Sequence, residues 1–492
     1  MADNRPNILI ILADQHRFDC IGAFGNNQIK TPHLDALAND GVVFKNCFST
    51  FPVCTPARYS LLTGLYAHQH LGLHNRSTLP HGISTFPRVL KNAGYATKAV
   101  GKMHFTPTYS EVGFDEMILS EQDGPGRYDD DYHRYLMERG LVDYVDMQDQ
   151  VGAFRVKADE DYYESFGTAE SNLEENDYST TWIANHACDT LEYWSEGGNL
   201  LEVGFIKPHH PHDAPKPWSE MYNPAELKLL SGWTPECQLV DRKFSQGFFD
   251  WSEMDESAAK YMMAQYYASI SQIDYHVGRM VEILKDRGIY DNTLIIYTSD
   301  HGDYLGFHHL GLKGNYMYDP VIKVPLIVKY PDSMNSGKVR EDLISLVDLT
   351  VTIIDSAGCM VPQELWESAQ PLEECERDAV FAEDNNGNYM ARTEKYKLLY
   401  CQKAKSQFFD LTKDEYEMNN LIDNPEYQEE IQNLKARFVK WLAFEARSRP
   451  HVDEHGPIIH GENVPPLDGD HRNIIKDYLE KKMEEKRTLS HN

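Results

Sequence analysis

Two short runs with no alternation of polar and apolar residues constrain this chain most. Asn7 to Ala13 (NILIILA) and Thr293 to Thr298 (TLIIYT) are almost continuously apolar. A strand with one face in water alternates, so strands of this kind must be covered on both faces. Further strand-like segments run from Tyr95 to Val100 and from Leu200 to Ile206. Helical segments separate them. Thr31-Pro32 opens one that stops near Gly41, with Thr31 expected as its N-cap. Thr85 to Ala93 is a second, ended by Gly94, and Ser252 to Arg287 is a long third, stopped by Gly288. This alternation predicts an α/β fold with a mostly parallel sheet flanked by helices.

After about Gly358 the pattern changes. Short strand candidates follow at Ala379–Ala382, Tyr389–Arg392, Lys397–Cys401 and Phe408–Asp410, then a helix from Pro425 to Ala446. They predict a smaller C-terminal antiparallel sheet plus helix. A chain of 492 residues exceeds one ordinary core. The expected organisation is an α/β domain over 1–365, a small α+β subdomain over 366–450, and a charged tail over 451–492 with a helix from Asn473 to Lys486.

Composition narrows the partners. The net charge is -30, from 77 acidic and 47 basic side chains, and such a field repels nucleic acid and anionic membranes. The apolar run from Ile8 to Ala13 is too short for a signal-peptide core, and no stretch approaches a membrane span. Eight scattered cysteines with no CxxC argue against a disulfide scaffold or zinc ribbon, so a reduced, cytoplasmic protein is expected. Asn75-Arg76-Ser77 forms a glycosylation sequon that, without a secretory signal, reads as chance. Oligomeric state is left open.

Polar clusters stand just after four of the predicted strands. They are Asp14-Gln15, then Lys102 with His104, then Lys207, His209, His210 and His212, and last Asp300-His301. Ligands of open α/β sheets bind beyond the carboxyl ends of the strands, so these clusters are expected to converge. Asp14, Gln15, Asp300 and His301 form a metal-ligand set. Its carboxylate and amide oxygens suit calcium, and its imidazole admits manganese or zinc. The sharpest segment runs from Cys54 to Gly64 (CTPARYSLLTG), with Pro56 expected at a helix start and Gly64 at its stop. Cys54 then lies at a helix N-terminus with Arg58 on its face, a setting for an activated thiol or an oxidised product held by a cation. A buried, inert cysteine is the alternative.

Cys-x-Pro-x-Arg followed by Leu-Leu-Thr-Gly resembles the sulfatase signature. Gly94 to His104, Lys207-Pro-His-His-Pro211 and Ser299-Asp-His-Gly302 through Lys313 to Leu326 match that family in order. The resemblance spans about Asn7 to Leu421. It implies an alkaline-phosphatase-like fold and hydrolysis of a sulfate ester of a sugar or another small organic sulfate. Cys54, oxidised to formylglycine by a separate maturation enzyme, is implied as nucleophile and last ligand of one divalent cation, held also by Asp14, Gln15, Asp300 and His301. Calcium is the expected ion. Arg58 is implied to steady residue 54, Lys102 and His104 to contact the aldehyde hydrate, and His209 and Lys313 to face the sulfate and leaving group. His209 is the expected general acid. His104 is expected to take the proton that releases sulfate. Lys207, His74, Asn75 and His309 are expected around the substrate, and His68, His70 and His308 are weaker neighbours of that kind. Gln15 and His301 depart from the Asp and Asn of many sulfatases and resemble phosphonate monoester hydrolases, which supply an alternative reading. A non-catalytic metal-binding protein with unmodified Cys54 is a third.

Overall fold

The computed structural model describes residues 5–237, 241, 249–314, 316–448 and 469–490. Nine strands form the main sheet: β1 (Asn7–Asp14), β2 (Val42–Phe48), β3 (Ala96–Gly101), β4 (Glu116–Leu119), β5 (Asn199–Pro208), β6 (Thr293–Thr298), β7 (Lys323–Val324), β8 (Leu326–Lys329) and β9 (Lys338–Ser345). They lie in the order β4-β3-β5-β1-β6-β8-β2-β7, with β9 also on β2. The five strands from β4 to β6 are mutually parallel. Antiparallel pairs gather on the other side, where β8 runs against both β6 and β2.

All eight residues of β1 are buried. Ile8, Ile10 and Leu12 enter one apolar cluster, and Leu9, Ile11 and Ala13 enter the other. The period of two thus feeds both faces, as the unbroken apolar run requires. Helices Cys54–Thr63, Phe86–Asn92 and Val347–Ser356 cover the first face, and Pro32–Asp40, Ser179–Glu192 and Glu256–Asp286 the second.

Helix boundaries follow the expected signals with two corrections. Thr31 stands at the N-cap position, but its hydroxyl accepts from the Gly22 N–H at 2.9 Å instead of capping the helix. The first-turn donors go to Asp274, which accepts from Leu34 N–H at 2.7 Å and from His33 N–H at 3.3 Å. The long helix starts at Glu256, where Asp255 accepts from the Ala258 N–H. The stretch expected to begin it at Ser252 forms a separate 3-10 turn, Trp251–Glu253.

Gly101 and Gly204 let β3 and β5 close together at the site end of the sheet. A Cβ on Gly101 would lie 2.2 Å from the Gly204 carbonyl, and one on Gly204 would lie 2.0 Å from the Lys102 carbonyl. Gly101 also has φ +93°, a conformation that disfavours a side chain.

The second sheet is antiparallel and runs β10 (Val380–Glu383), β11 (Tyr389–Arg392), β12 (Tyr396–Tyr400), β13 (Gln407–Asp410). Its helix Gln428–Lys440 continues through a π turn, Trp441–Glu445. Trp441 stacks on Phe381 at 4.9 Å, and both belong to the apolar cluster that contains Ile8 and Ile10. The two sheets therefore share a core. A last helix spans Gly469–Ser490, and residues 451–468 of the expected tail lie outside the described residues. No helix among the described residues is long and apolar enough to cross a membrane.

Candidate active site

The parallel order β3-β5-β1-β6 places the carboxyl ends of four strands side by side, and the expected polar groups meet there. Cys54 is itself the first residue of its helix, with Pro56 inside the first turn rather than at its start. Every residue of that helix is buried, and Gly64 ends it at φ +70°. The helix dipole favours negative charge at Cys54.

The Cys54 Sγ lies 3.1 Å from Lys313 Nζ, 3.2 Å from His301 Nε2 and 3.6 Å from Asp14 Oδ1. Asp14, Cys54, Asp300 and His301 are all buried and offer ligand atoms within 4.8 Å of one another. Arg58 ties the two carboxylates together: its Nε donates to Asp300 Oδ2 at 2.8 Å and its NH2 to Asp14 Oδ2 at 3.0 Å. Lys102 Nζ lies 2.8 Å from Asp14 Oδ2. His301 Nδ1 lies 2.9 Å from the Gly302 carbonyl, a contact that places its proton there and leaves Nε2 facing the cluster. Gln15 donates through Nε2 to Asp303 at 2.5 Å, which leaves its buried Oε1 without a partner. Two carboxylates, an orphaned amide oxygen and an oriented imidazole fit a hard divalent cation. Gln15 and His104 hold positive φ values, 65° and 59°. Such backbone costs energy in residues with side chains, of order 1–3 kcal/mol each, and collects at functional sites.

Buried opposite charges at the centre shift one another's ionisation. Burial and Cys54 oppose ionisation of Asp14, yet Lys102, His209 and Arg58 hold its carboxyl well below the usual range. Burial likewise resists the Cys54 thiolate, but Lys313, Lys102 and His301, with a hydrogen bond from His104, pull it far below an ordinary thiol. Cys54 is thus not an inert core cysteine. Burial, Lys313, Lys102 and His210 push the His209 imidazole well below its ordinary value, and Asp14 only partly offsets them. Its Nδ1 lies 2.6 Å from the His210 carbonyl, which fixes the Nδ1–H tautomer.

A cavity of about 380 Å³ opens over the centre, lined by His74, Asn75, His104, His209 and Lys313 among others. Asn75 Oδ1 also accepts from the Thr55 N–H, binding the cavity rim to the Cys54 helix. Among the wall residues that the sequence reading did not find are Gln150, Arg155 and Asn385. His210, from the cluster after the fifth strand, lines the cavity too, with Nδ1 2.6 Å from Asp149.

Lys207 requires a correction. Its ammonium is bound by Asp213 and by the Pro211 and His209 carbonyls, so it braces the His209 loop instead of facing substrate. His309 also lies off this cavity, with Nδ1 2.8 Å from the Thr234 carbonyl and its ring 4.9 Å from Trp233. His308 contacts the Tyr416 carbonyl, and His212 is buried against Tyr266. His68 bridges Glu383 and the Ala446 carbonyl, and His70 contacts Ser60. These histidines hold loops together.

On β5, Glu202 is buried, and its Oε2 has no partner among the described residues. Burial raises its carboxyl to about 7, against an ordinary 4.5, with Arg58 as the opposing influence. Such a group favours folding below the lower value, and that contribution is lost as pH rises through the upper one. Glu202→Gln is therefore expected to stabilise the protein by about 2–3 kcal/mol at pH 8 and much less at pH 5. Urea midpoints at the two pH values measure this, and an equal gain at both would contradict it.

Residues 6–359 match the Sulfatase family, and residues 308–443 match the C-terminal region of N-sulphoglucosamine sulphohydrolase. The chain is 30% identical to an arylsulfatase of Clostridium perfringens, over 91% of this chain and 96% of that protein. It is 27% identical to an N-acetylglucosamine-6-O-sulfatase of Bacteroides thetaiotaomicron, over 87% and 85%. Among solved structures, a phosphonate monoester hydrolase of Silicibacter pomeroyi superposes with TM-score 0.73 at 22% identity, covering 89% of this chain and 95% of that one. That likeness shows the alkaline-phosphatase-like fold. With the Sulfatase family matched over residues 6–359 and a buried cysteine opening a helix at the site, the chain belongs to the sulfatase family.

Proposed function

We propose that this sulfatase hydrolyses the sulfate ester of a sugar or other small organic sulfate, using formylglycine made from Cys54 and one calcium ion. The observation that carries the reading is the buried cluster of Asp14, Cys54, Asp300 and His301 with Lys313 3.1 Å from the sulfur. When present, a hydrated aldehyde at position 54 supplies a regenerable hydroxyl nucleophile, and a divalent cation polarises the sulfate.

The remaining chemistry falls to the chain. Asp14, Gln15, Asp300 and His301 would hold the cation, with Arg58 fixing both carboxylates. Lys102 and Lys313 offset the charge of the sulfate inside a chain of net charge -30. His209 keeps its Nδ1 proton on the His210 carbonyl, so Nε2 is the atom that exchanges a proton with the leaving oxygen. His104, whose side chain hydrogen-bonds residue 54, would take up a proton at the nucleophile.

The amides of Asn75, Gln150 and Asn385 around the cavity suit the hydroxyls of a sugar. The named activity of the Bacteroides thetaiotaomicron relative supports that class. Cysteines that form no disulfide among the described residues suit a reducing cytoplasm, where a formylglycine-generating enzyme would be the required maturation partner. Gln15 and His301 favour a second reading, phosphonate or phosphodiester hydrolysis at the same centre.

Parallel rates decide between them. 4-Nitrophenyl sulfate is expected to turn over at least tenfold faster than an aryl phosphonate monoester. Dialysis against a chelator is expected to remove both activities and calcium to restore them. A reversed ratio would transfer the reading to phosphonates, and full activity after exhaustive chelation would remove the cation from it.

A further inference from the structure

The C-terminal helix Gly469–Ser490 lies beyond both family matches, which end at 359 and 443. Ile475, Leu479 and Met483 recur every four residues and are buried, forming one apolar stripe. The stripe packs on Val142, Met147 and Phe154 in a cluster distinct from the sheet cores. Tyr478 donates to the Leu141 carbonyl at 3.0 Å, and Lys486 sits 4.5 Å from the Tyr144 ring.

The covered elements are short. Helices Tyr144–Gln150 and Gly152–Arg155 have seven and four residues, too few to hold their shape without tertiary packing. Their other side reaches the active-site cavity. Gln150 and Arg155 line it, Asp149 lies 2.6 Å from His210 Nδ1, and Gln150 Nε2 donates to the His210 carbonyl at 3.1 Å. Met147 and Phe154 are thus buried on the helix side of the same two turns that present Gln150 and Arg155 to the cavity and hold Asp149 against His210.

We propose that helix Gly469–Ser490 is a specificity buttress: it positions the cavity wall that receives a polar, sugar-like leaving group and leaves the cluster of Asp14, Cys54, Asp300 and His301 untouched. The proposal rests on the sulfatase reading above. Ile475, Leu479 and Met483 are positioning residues, acting through Met147 and Phe154 on Gln150 and Arg155. An aryl leaving group, with no hydroxyls to place, does not need that wall.

Leu479→Ala and Met483→Ala in the full chain test this. Each is assayed on 4-nitrophenyl sulfate and on glucosamine 6-sulfate, and hydrogen exchange is followed in parallel. For Leu479→Ala, kcat/KM on the sugar is expected to fall at least tenfold, mainly through KM, with the aryl sulfate changed less than threefold. Met483→Ala is expected to act in the same sense more weakly, which keeps the test open should Leu479→Ala fold poorly. Exchange is expected to rise in residues 144–155 and to stay unchanged in strand β1. An equal loss on both substrates, no loss on either, or unchanged exchange in 144–155 overturns the buttress. A wild-type protein inert on both sulfates, with 144–155 still loosened by Leu479→Ala, counts against the sulfatase reading and not against the mechanical coupling.

Discussion

Cys54→Ala is expected to abolish sulfate-ester turnover, with kcat reduced by about 10⁴-fold or more, because the reacting group itself is removed. The loss should come with little change in folding. Sγ sits among Lys313, His301 and Asp14 in a charged pocket, and Arg58 continues to link Asp14 with Asp300 when it is gone. Cys54→Ser gives a finer result. A serine hydroxyl left unmodified can attack once, but it has no second hydroxyl through which to expel sulfate. At most one equivalent of alcohol should therefore appear. Peptide mass spectrometry of the segment around Cys54, from the native host, is expected to show an aldehyde in place of the thiol. An intact thiol in fully active protein would sink the formylglycine mechanism, whatever the rate of the alanine variant.

The parts of this fold that were legible in sequence are those where a single environment acts along a whole segment. Strands β1 and β6 are buried on both faces from end to end, so their apolar runs announced them. The four short C-terminal strands were placed within one or two residues, because turns separate them cleanly. Strand β9 was not found. Its first half is largely exposed and carries Lys338, Arg340, Glu341 and Asp342, so no apolar period marks it. Strand β4 has only four residues, and β2 is interrupted by Lys45 and Asn46.

The candidate site divides in the same way. Asp14, Cys54, Asp300 and His301 were legible because strand and helix ends carry them, and the sheet topology brings those ends together. Lys207 shares that address, yet Asp213, six residues later, captures its ammonium. Nothing at a strand end tells a lysine facing substrate from one held by its own loop. Gln150, Arg155 and Asn385 come from short helices and from the second sheet. Tertiary packing delivers them, and no local pattern does.

Removing the groups that face the leaving oxygen should produce losses that depend on the leaving group. His209→Ala is expected to lower kcat/KM by about 10³-fold on an alkyl or sugar sulfate, a barrier increase of about 4 kcal/mol, and by only about tenfold on 4-nitrophenyl sulfate. An alkoxide needs a proton to depart, whereas a nitrophenolate is stable without one. Lys313→Met should show the same ordering, and the double variant should lose less than the product of the two, because both groups stabilise one developing charge. The pH profile then separates their roles. Burial and, next to it, the Lys313 ammonium hold the His209 imidazole below its ordinary value, so with Lys313 gone His209 stays protonated to higher pH. The alkaline limb on the alkyl substrate should therefore move upward in Lys313→Met and disappear in His209→Ala. If His209→Ala costs the same factor on both substrates, or retains the alkaline limb, the proton comes from elsewhere and His209 only shapes the pocket.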